Sequence, residues 1–348
     1  MPLLVVVAVA ALAGRTASAQ QPNFPAAPSR IVLGARAVAL VADAVYAFKS
    51  APSRIFAVAG TDQGLGSFLG LVDRSFSSKP VLDRTAGAEA YAALKPDLVI
   101  LKGALRPSLG KNLEQIKIPT LYIDLETPED YYRDLSALGG IFNEEDRARE
   151  LIAYYTALTA DTERRVAGAE RPRTLLVQAG AGTGLWEAPP AAWMQTRLIS
   201  LAGGDPVWVA AASAFGASSV LGAATGWTRA GAEQIAAWDP QAVIVVSYRE
   251  DASLGVKRFL EDPRFAAVSA VRGGRVYGMP QDFYSWDQPD TRWILGLRRM
   301  GAFLHPDRFG DADPGMELYD FYRTLYGMDR ESVRMNILPR LKGDHGVR

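Results

Sequence analysis

Apolar and polar residues follow two different periods along this chain. Short apolar runs, LVIL at 98–101 and AVIVV at 242–246, have the length and branched composition of strands buried on both faces. Longer stretches between such runs repeat apolar residues every three or four positions, which is the spacing of an amphipathic helix. Because short buried strands alternate with helices, the pattern predicts an α/β fold with mainly parallel sheets.

The longest helical pattern lies between residues 143 and 169, where apolar positions form one stripe and Gly168 is the first glycine or proline. Asn143 is a candidate N-cap, and the three acidic residues after it would place negative charge in a first turn whose N–H groups lack partners. Roughly 24 helical residues would span about 36 Å. We therefore predict a single long helix that joins two α/β lobes.

The sequences on the two sides of this helix repeat one unit. Glu89 lies seven residues before Pro96, and Glu233 lies seven residues before Pro240. Each proline ends a short helix and is followed within two residues by an apolar strand. The repeat predicts two similar lobes. The predicted divisions are a signal peptide at 1–19, a leader at 20–29, an N-terminal lobe at 30–142, a connecting helix at 143–169, a C-terminal lobe at 170–330 and a polar tail at 331–348.

Composition narrows the class of protein. The 38 basic and 38 acidic residues cancel, so charge does not favour nucleic acid as a partner. The first 13 residues are almost wholly apolar and Ala17-Ser18-Ala19 is a small-residue cleavage pattern, which predicts a signal peptide; the alternative is a buried N-terminal strand. The sequence has no cysteine, which excludes disulfides, thiolate metal sites and a lipid-bearing N-terminal cysteine. We expect a soluble protein of the periplasm.

Six segments carry a resemblance to a known family. They are RIV at 30–32, EAYAALKPDLVIL at 89–101, IPTLYID at 118–124, LAGG at 201–204, EQIAAWDPQAVIVV at 233–246 and GRVYGMP at 274–280. In this order and spacing the chain resembles, from about Arg30 to Phe309, the periplasmic substrate-binding proteins of ABC importers for iron–siderophore complexes, cobalamin and haem. The resemblance implies two α/β lobes, one long rigid helix between them, and a ligand cleft that opens by small hinge motion.

The same resemblance gives the repeated glutamate a function. It implies that Glu89 and Glu233, one on each lobe, dock onto basic residues of an ABC permease in the inner membrane. Two well-separated carboxylates on one face would fix orientation and speed encounter, although exposed ion pairs add little affinity. The alternative is that each glutamate only begins a helix, where negative charge is favourable.

Ligand contacts are expected in loops that follow the carboxyl ends of parallel strands. In the N-terminal lobe the candidates are Arg36, Thr61, Asp62, Asp83, Arg84 and Lys102. In the C-terminal lobe they are Trp186, Phe215, Tyr248, Tyr284 and Trp286. For Arg84 a salt bridge to a neighbouring aspartate is an alternative, and for Trp186 and Phe215 the alternative is core packing. The loop at 281–290 mixes polar, aromatic and acidic residues, which favours a binding edge over a core element.

Histidine content argues against an enzyme. The sequence has two histidines, and His305, beside Pro306 at a predicted helix end, suits a C-terminal cap better than a metal ligand. A Ser–His–Asp hydrolase needs a histidine, for which only His305 is available in the folded region, and a zinc enzyme needs several His, Cys or carboxylate ligands at set spacing. A secreted hydrolase is therefore the weaker hypothesis. We expect a monomeric binding protein without a cofactor.

The ligand class stays open at this point. Basic and aromatic candidates together suit a large anionic metal chelate, and a ferric siderophore satisfies both requirements. Cobalamin would suit a neutral aromatic cleft, haem would use Tyr248 or Tyr284 as an axial ligand, and molybdate would use the basic residues and leave the aromatic ones unexplained.

Overall fold

The computed structural model describes residues 27–35, 38–61, 64, 67–179, 185–209 and 226–347. Three of the predicted ligand contacts, Arg36, Asp62 and Phe215, lie outside these ranges, as does the predicted signal peptide. Within the described ranges, no helix combines the length and apolar character needed to cross a membrane.

The N-terminal lobe contains a five-stranded sheet in which every pairing is parallel. Its strands are β1 (Ile31–Leu33), β2 (Ile55–Ala59), β3 (Val81–Leu82), β4 (Leu98–Lys102) and β5 (Thr120–Ile123), in the order β3-β2-β1-β4-β5. Its helices are α1 (Val38–Val45), α2 (Ala51–Arg54), α3 (Leu69–Val72), α4 (Ala88–Ala93) and α5 (Lys111–Gln115). Strand β4 is buried along its whole length, as expected for an apolar run covered by helices on both faces.

The C-terminal lobe contains a mixed sheet. Its strands are β6 (Arg173–Ala179), β7 (Trp186–Ala188), β8 (Asp205–Pro206), β9 (Thr228–Ala230), β10 (Ala242–Val246) and β11 (Val276–Gly278). The order is β11-β10-β6-β7-β9, with β8 also paired to β6. Strand β7 runs antiparallel to β6 and β9, and the other pairings are parallel. The flanking helices are α8 (Met194–Leu201), α9 (Ala232–Trp238), α10 (Ala252–Glu261) and α11 (Ser269–Arg272).

A further set of helices lies between and beside the lobes. These are α6 (Pro128–Phe142), α7 (Glu145–Val166), α12 (Trp293–Leu304), α13 (Pro314–Tyr326) and α14 (Arg330–Asn336). Single 3-10 turns occur at Phe76–Ser78, Gly103–Leu105, Pro263–Phe265, Pro306–Arg308 and Leu338–Arg340, and a π turn at Arg106–Gly110. Helix α7 packs on α6 and α12 and connects the two sheets. The prediction of two α/β lobes joined by a long helix is therefore confirmed.

The predicted start of the connecting helix was wrong. Asn143 adopts the left-handed conformation (φ 54°) and ends α6, donating its N–H to the carbonyl oxygens of Gly139 and Gly140. Helix α7 then begins at Glu145 and has 22 residues, about 33 Å at the standard rise. Gly168, at φ 70°, follows its last turn as predicted.

Glu144, the residue between the two helices, reaches back to the N-terminal lobe. Its carboxylate accepts hydrogen bonds from the backbone N–H of Lys49 (2.9 Å), the backbone N–H of Ser50 (2.8 Å) and the Ser50 hydroxyl (2.7 Å). These bonds hold the first turn of α7 against the start of α2, so the connecting helix is fixed to the N-terminal lobe at this end.

Side-chain contacts add to the chain connection through α7 in joining the lobes. Helix α13, which follows the C-terminal lobe in sequence, returns to the N-terminal lobe, where the ring of Tyr326 lies 4.6 Å from that of Phe68. Arg147 on α7 donates to the carbonyl oxygens of Ala47 (3.1 Å) and Leu325 (2.9 Å). The guanidinium therefore ties the N-terminal lobe and α13 to the connecting helix.

The residues predicted to form a polar tail are folded onto the C-terminal lobe. Lys342 exchanges backbone hydrogen bonds with Gln281 at 2.9 and 3.2 Å. Asp344 accepts from the backbone N–H of Gly278 through its side chain (2.7 Å) and donates its own N–H to the Gly278 carbonyl (2.9 Å). These residues satisfy backbone groups at the end of edge strand β11, which would otherwise need water or another chain.

Candidate functional site

Lys102 ends strand β4, at the edge of the sheet where ligand contacts were predicted. Its Nζ lies 2.6 Å from a carboxylate oxygen of Glu126 and also donates to the backbone oxygen of Asp124. The lysine is buried, while the side chain of Glu126 is 39% exposed. The positive charge therefore has its own counterion, and an anionic ligand would have to compete with Glu126 for it.

The other described candidates of the N-terminal lobe lie on exposed loops. Thr61 follows β2, and Asp83 and Arg84 follow β3. The Asp83 carboxylate accepts hydrogen bonds from the hydroxyl and backbone N–H of Thr85, which hold the pKa of Asp83 below its usual range. This local turn accounts for the orientation of the aspartate, and a ligand-binding function for the three residues stays a prediction.

Three half-buried aromatic side chains meet on the C-terminal lobe, and we refer to Trp193, Trp227 and Tyr248 as the aromatic set. The Trp227 ring lies 5.9 Å from that of Tyr248 and 6.2 Å from that of Trp193, both edge to face. Tyr248 follows the carboxyl end of β10, as predicted. The two tryptophans were missed, because they flank the antiparallel part of the sheet, where a rule about parallel strands selects no residue.

The Tyr248 hydroxyl is held by hydrogen bonds inside the lobe. It donates to a carboxylate oxygen of Asp287 (2.7 Å) and accepts from the side-chain amide of Gln195 (3.3 Å). The other Asp287 oxygen accepts from the Ser285 hydroxyl. Burial, followed by the charge of Asp287, raises the pKa of Tyr248 well above its usual range. Burial also raises the pKa of Asp287. The phenol therefore stays protonated, with its oxygen committed to protein partners.

The loop at 281–290 is not the binding edge that its composition suggested. Tyr284 is 4% exposed and Trp286 is 2% exposed. The Tyr284 ring lies against Gly64 of the N-terminal lobe, where an added Cβ would come within 2.4 Å of a ring carbon. Phe283 packs on Phe68, with ring centroids 5.5 Å apart. The loop fills the junction between the lobes, and both candidate aromatics in it are packing residues in this structure.

A fully buried group of charges explains why this polar loop can be internal. Arg292 contacts Asp43 (2.5 Å), Asp282 (2.6 Å) and Asp290 (3.0 Å), and all four side chains have no exposed surface. Asp43 belongs to α1 of the N-terminal lobe, so this buried Arg292 cluster links the two lobes. Burial raises the pKa of Asp290 to about 8 and that of Asp43 to about 6, against the opposing charge of Arg292.

The sequence contained a signal for this cluster. Asp43 is the one charged residue in the helix VALVADAV, and a lone carboxylate among apolar residues indicates a buried partner. The partner, 249 residues away, is visible in the folded structure alone.

Trp186 lies in the core of the C-terminal lobe. Its side chain is 3% exposed and its ring centroid lies 5.1 Å from that of Phe259 and 6.5 Å from that of Phe265. Packing alone accounts for this tryptophan, which was the alternative interpretation of the sequence pattern.

The two repeated glutamates occupy matching places. Glu89 lies in the first turn of α4 after Gly87, and Glu233 lies in the first turn of α9 after Gly231. Both carboxylates are exposed, and both glycines are in extended N-cap conformations. The duplication seen in the sequence is therefore a duplication in local structure. Whether the pair docks onto a permease stays a prediction.

Two α/β lobes, a long connecting helix and an aromatic surface beside strand ends together define a two-lobed solute-binding protein. The chain belongs to the periplasmic binding protein family, whose profile matches residues 81–283. That family consists of solute-binding transport proteins that work with ABC transporters, and not of enzymes.

Individual relatives bind different solutes. The molybdate-binding protein MolA of Haemophilus influenzae is 25% identical over 248 residues, which cover 68% of this chain and 69% of the relative. Its structure with molybdate superposes with a TM-score of 0.67 at 19% identity, over 88% of this chain and 95% of that chain. CeuE of Helicobacter pylori, solved with Ni(II) bound, gives a TM-score of 0.67 at 15% identity, over 90% and 96%. At these identities the solved structures show the fold alone.

Proposed function

We propose that this protein binds an iron(III)–siderophore or a related metal chelate between its lobes and delivers it to an ABC importer. The observation that carries the proposal is the aromatic set. In this set the Tyr248 hydroxyl is hydrogen-bonded to Asp287, so the rings are left as the contact surface for a ligand. Half-buried rings offer a large contact area with little loss of conformational entropy. Such a surface suits a bulky chelate with planar groups.

The charges near the N-terminal sheet edge fit this ligand class better than a small oxyanion. A small oxyanion is held by several converging donors and positive charges. Lys102, which the sequence suggested for that purpose, is paired with Glu126 and with a backbone oxygen. A large chelate depends less on a single charge, because most of its contact area is apolar or aromatic.

Molybdate is the second candidate, and the similarity to MolA is the observation that favours it. The two candidates make opposite predictions for the aromatic set. Truncating a tryptophan should weaken a chelate complex strongly, whereas an oxyanion held by polar groups should be bound almost as well as before.

The experiment is a screen of the mature protein by tryptophan fluorescence and thermal shift. The probes are a ferric catecholate, a ferric hydroxamate, cobalamin, haemin and molybdate. We expect a ferric chelate to quench fluorescence and raise the melting temperature, and Trp227→Ala to weaken binding about tenfold, equivalent to about 1.4 kcal/mol. The control is Trp238→Ala, since Trp238 is half-buried on α9 outside the aromatic set. A response to molybdate alone would reject the chelate proposal.

Export by the predicted signal peptide and docking through Glu89 and Glu233 complete the proposed function. Charge reversal of either glutamate should lower uptake in reconstituted vesicles that contain the permease and leave ligand affinity unchanged. Glu163→Lys on α7 is the matched control, because Glu163 is exposed on the connecting helix. Uptake that is insensitive to both docking substitutions would remove this part of the proposal.

A further inference from the structure

A metal in the cleft would have no histidine to bind. The sequence has two histidines and no cysteine. His305 is buried, with Nε2 3.2 Å from the carbonyl oxygen of Gly203. Gly203 lies just before β8, which pairs with the first residues of β6, whereas Tyr248 follows β10 beyond the other end of β6. These two ends are roughly 16 Å apart along the strand. His345 accepts from the backbone N–H of Val347 within the C-terminal residues.

The tyrosines that were considered as axial ligands are committed elsewhere. A phenol must lose its proton to coordinate a metal. The Tyr248 oxygen already donates to Asp287 and accepts from Gln195, and burial next to the Asp287 charge raises the pKa of Tyr248. Tyr284 is buried between Gly64 and Arg292, and burial raises its pKa as well. Both phenols are therefore harder to deprotonate than an exposed tyrosine.

The carboxylates of Asp287 and Glu126 are also occupied. Both Asp287 oxygens accept hydrogen bonds, from Ser285 and from Tyr248, and Glu126 is paired with Lys102. Across the described residues, no three or more His, Asp or Glu side chains form a group that could hold a metal ion. What the aromatic set offers a ligand is ring surface without an atom suited to coordinate a metal, because an indole nitrogen keeps its hydrogen and the Tyr248 oxygen is bonded to Asp287 and Gln195.

We infer that the cleft selects chelates whose metal is already fully coordinated by the chelator, and that Asp287 is a positioning residue which keeps Tyr248 as a ring surface. The inference rests on the proposed function and specifies its ligand class. Recognition then occurs through the outer surface of the chelate, by contacts between rings, and no bond forms between the protein and the metal. Partly coordinated ferric complexes and haem, which need a ligand from the protein, are disfavoured.

The test compares ferric complexes of one chelator in a hexadentate form and in a truncated tetradentate form. Affinity is measured by fluorescence quenching, and the visible absorption spectrum of the bound complex reports iron coordination. We expect the hexadentate complex to bind with an unchanged spectrum and the tetradentate complex to bind at least about tenfold more weakly. Tyr248→Phe should keep the affinity for the hexadentate complex within about threefold, whereas Tyr248→Ala should lose about tenfold.

Variants of Asp287 test the positioning function. Asp287→Ala should lower the ratio of hexadentate to tetradentate affinity, because the phenol loses its partner and can turn. Asp287→Asn keeps an acceptor for the Tyr248 hydroxyl and should restore the ratio. A loss of melting temperature without a change in this ratio would reduce Asp287 to a structural residue and overturn that part of the inference.

The outcomes separate the inference from the proposed function. A new phenolate-to-iron absorption band in the wild-type complex, lost in Tyr248→Phe, would overturn the inference and leave the proposed function intact. Equal affinity for the two complexes would do the same. If neither ferric complex binds, the proposed function itself fails.

Discussion

Replacing Gly296 with alanine should disrupt the junction at which the loop at 281–290 meets helix α12. A Cβ at this position would lie 2.0 Å from the carbonyl oxygen of Trp286 and 2.9 Å from the terminal carbon of Met279. In folded proteins a Cβ atom essentially never lies within 3.0 Å of a heavy atom outside its own residue and the two adjacent residues. The obstructing atom is backbone in a buried loop, so the side chain cannot be accommodated by a rotamer change, and the loop must move by about 1 Å or more.

Overpacking in a well-packed core costs about 1–3 kcal/mol, and the backbone contact places Gly296→Ala at the upper end of that range. Gly140→Ala is the matched control. Gly140 lies in helix α6, is exposed, and has nothing within 4 Å of an added Cβ. Alanine there should stabilise the protein by about 0.5–1 kcal/mol, because glycine loses more backbone entropy in a helix.

Thermal unfolding measures both effects. With an unfolding entropy of about 2.1 cal/mol/K per residue, a chain of 348 residues shifts by about 1.4 °C per kcal/mol, so Gly296→Ala should lower the melting temperature by about 4 °C and Gly140→Ala should raise it by about 1 °C. Because the displaced loop also carries Asp287, the partner of Tyr248, Gly296→Ala should weaken ligand binding as well. A Gly296→Ala protein as stable as wild type, or a Gly140→Ala protein destabilised to the same degree, would refute the reasoning.

Three more predictions follow from individual contacts. Since burial raises the pKa of Asp290 to about 8 and that of Asp43 to about 6, from the ordinary 3.8, the folded chain holds these protons more tightly than the unfolded chain. The resulting stabilisation is complete below that ordinary pKa and is lost as the pH rises through 6 to 8. Melting temperatures measured from pH 5 to pH 9 should therefore fall less for Asp290→Asn than for wild type, and an equal fall would contradict this. Glu144→Gln should cost about 1–2 kcal/mol in urea unfolding, because three hydrogen bonds lose their charged acceptor. Lys117→Gly should gain about 0.5–1 kcal/mol in the same assay, because the exposed Lys117 has a left-handed φ of 61°; a loss of stability would show that the lysine side chain makes contacts that outweigh this strain.

Local sequence pattern predicted most elements well and erred where one residue suits two positions. Strand β10 has the predicted bounds, 242–246, because a short apolar run of mainly β-branched residues after a helix-ending proline favours a buried strand. The connecting helix was correct in its centre and wrong at its start. Asparagine is favoured both as an N-cap and in the left-handed position after a helix, so pattern alone could not decide that Asn143 ends α6.

The candidate site was harder to predict, since it depends on which polar groups find partners. Tyr248 was found because it follows a parallel strand. Trp193 and Trp227 were missed because they flank the antiparallel strands β7 and β9, and only the fold brings them beside Tyr248. Lys102 lies where expected, but whether its charge is available was decided by Glu126, which comes from the end of a neighbouring strand.

The sequence by itself determined the elements and the duplication, because hydrophobic period and turn chemistry act between residues a few positions apart. Only the tertiary structure decided which polar segments are internal. The loop at 281–290 has the composition of a surface, yet it is buried because Arg292 contacts Asp282 and Asp290 and joins them to Asp43, 249 residues away. A buried charge is stable when its partner is present, and the presence of a distant partner is a property of the fold.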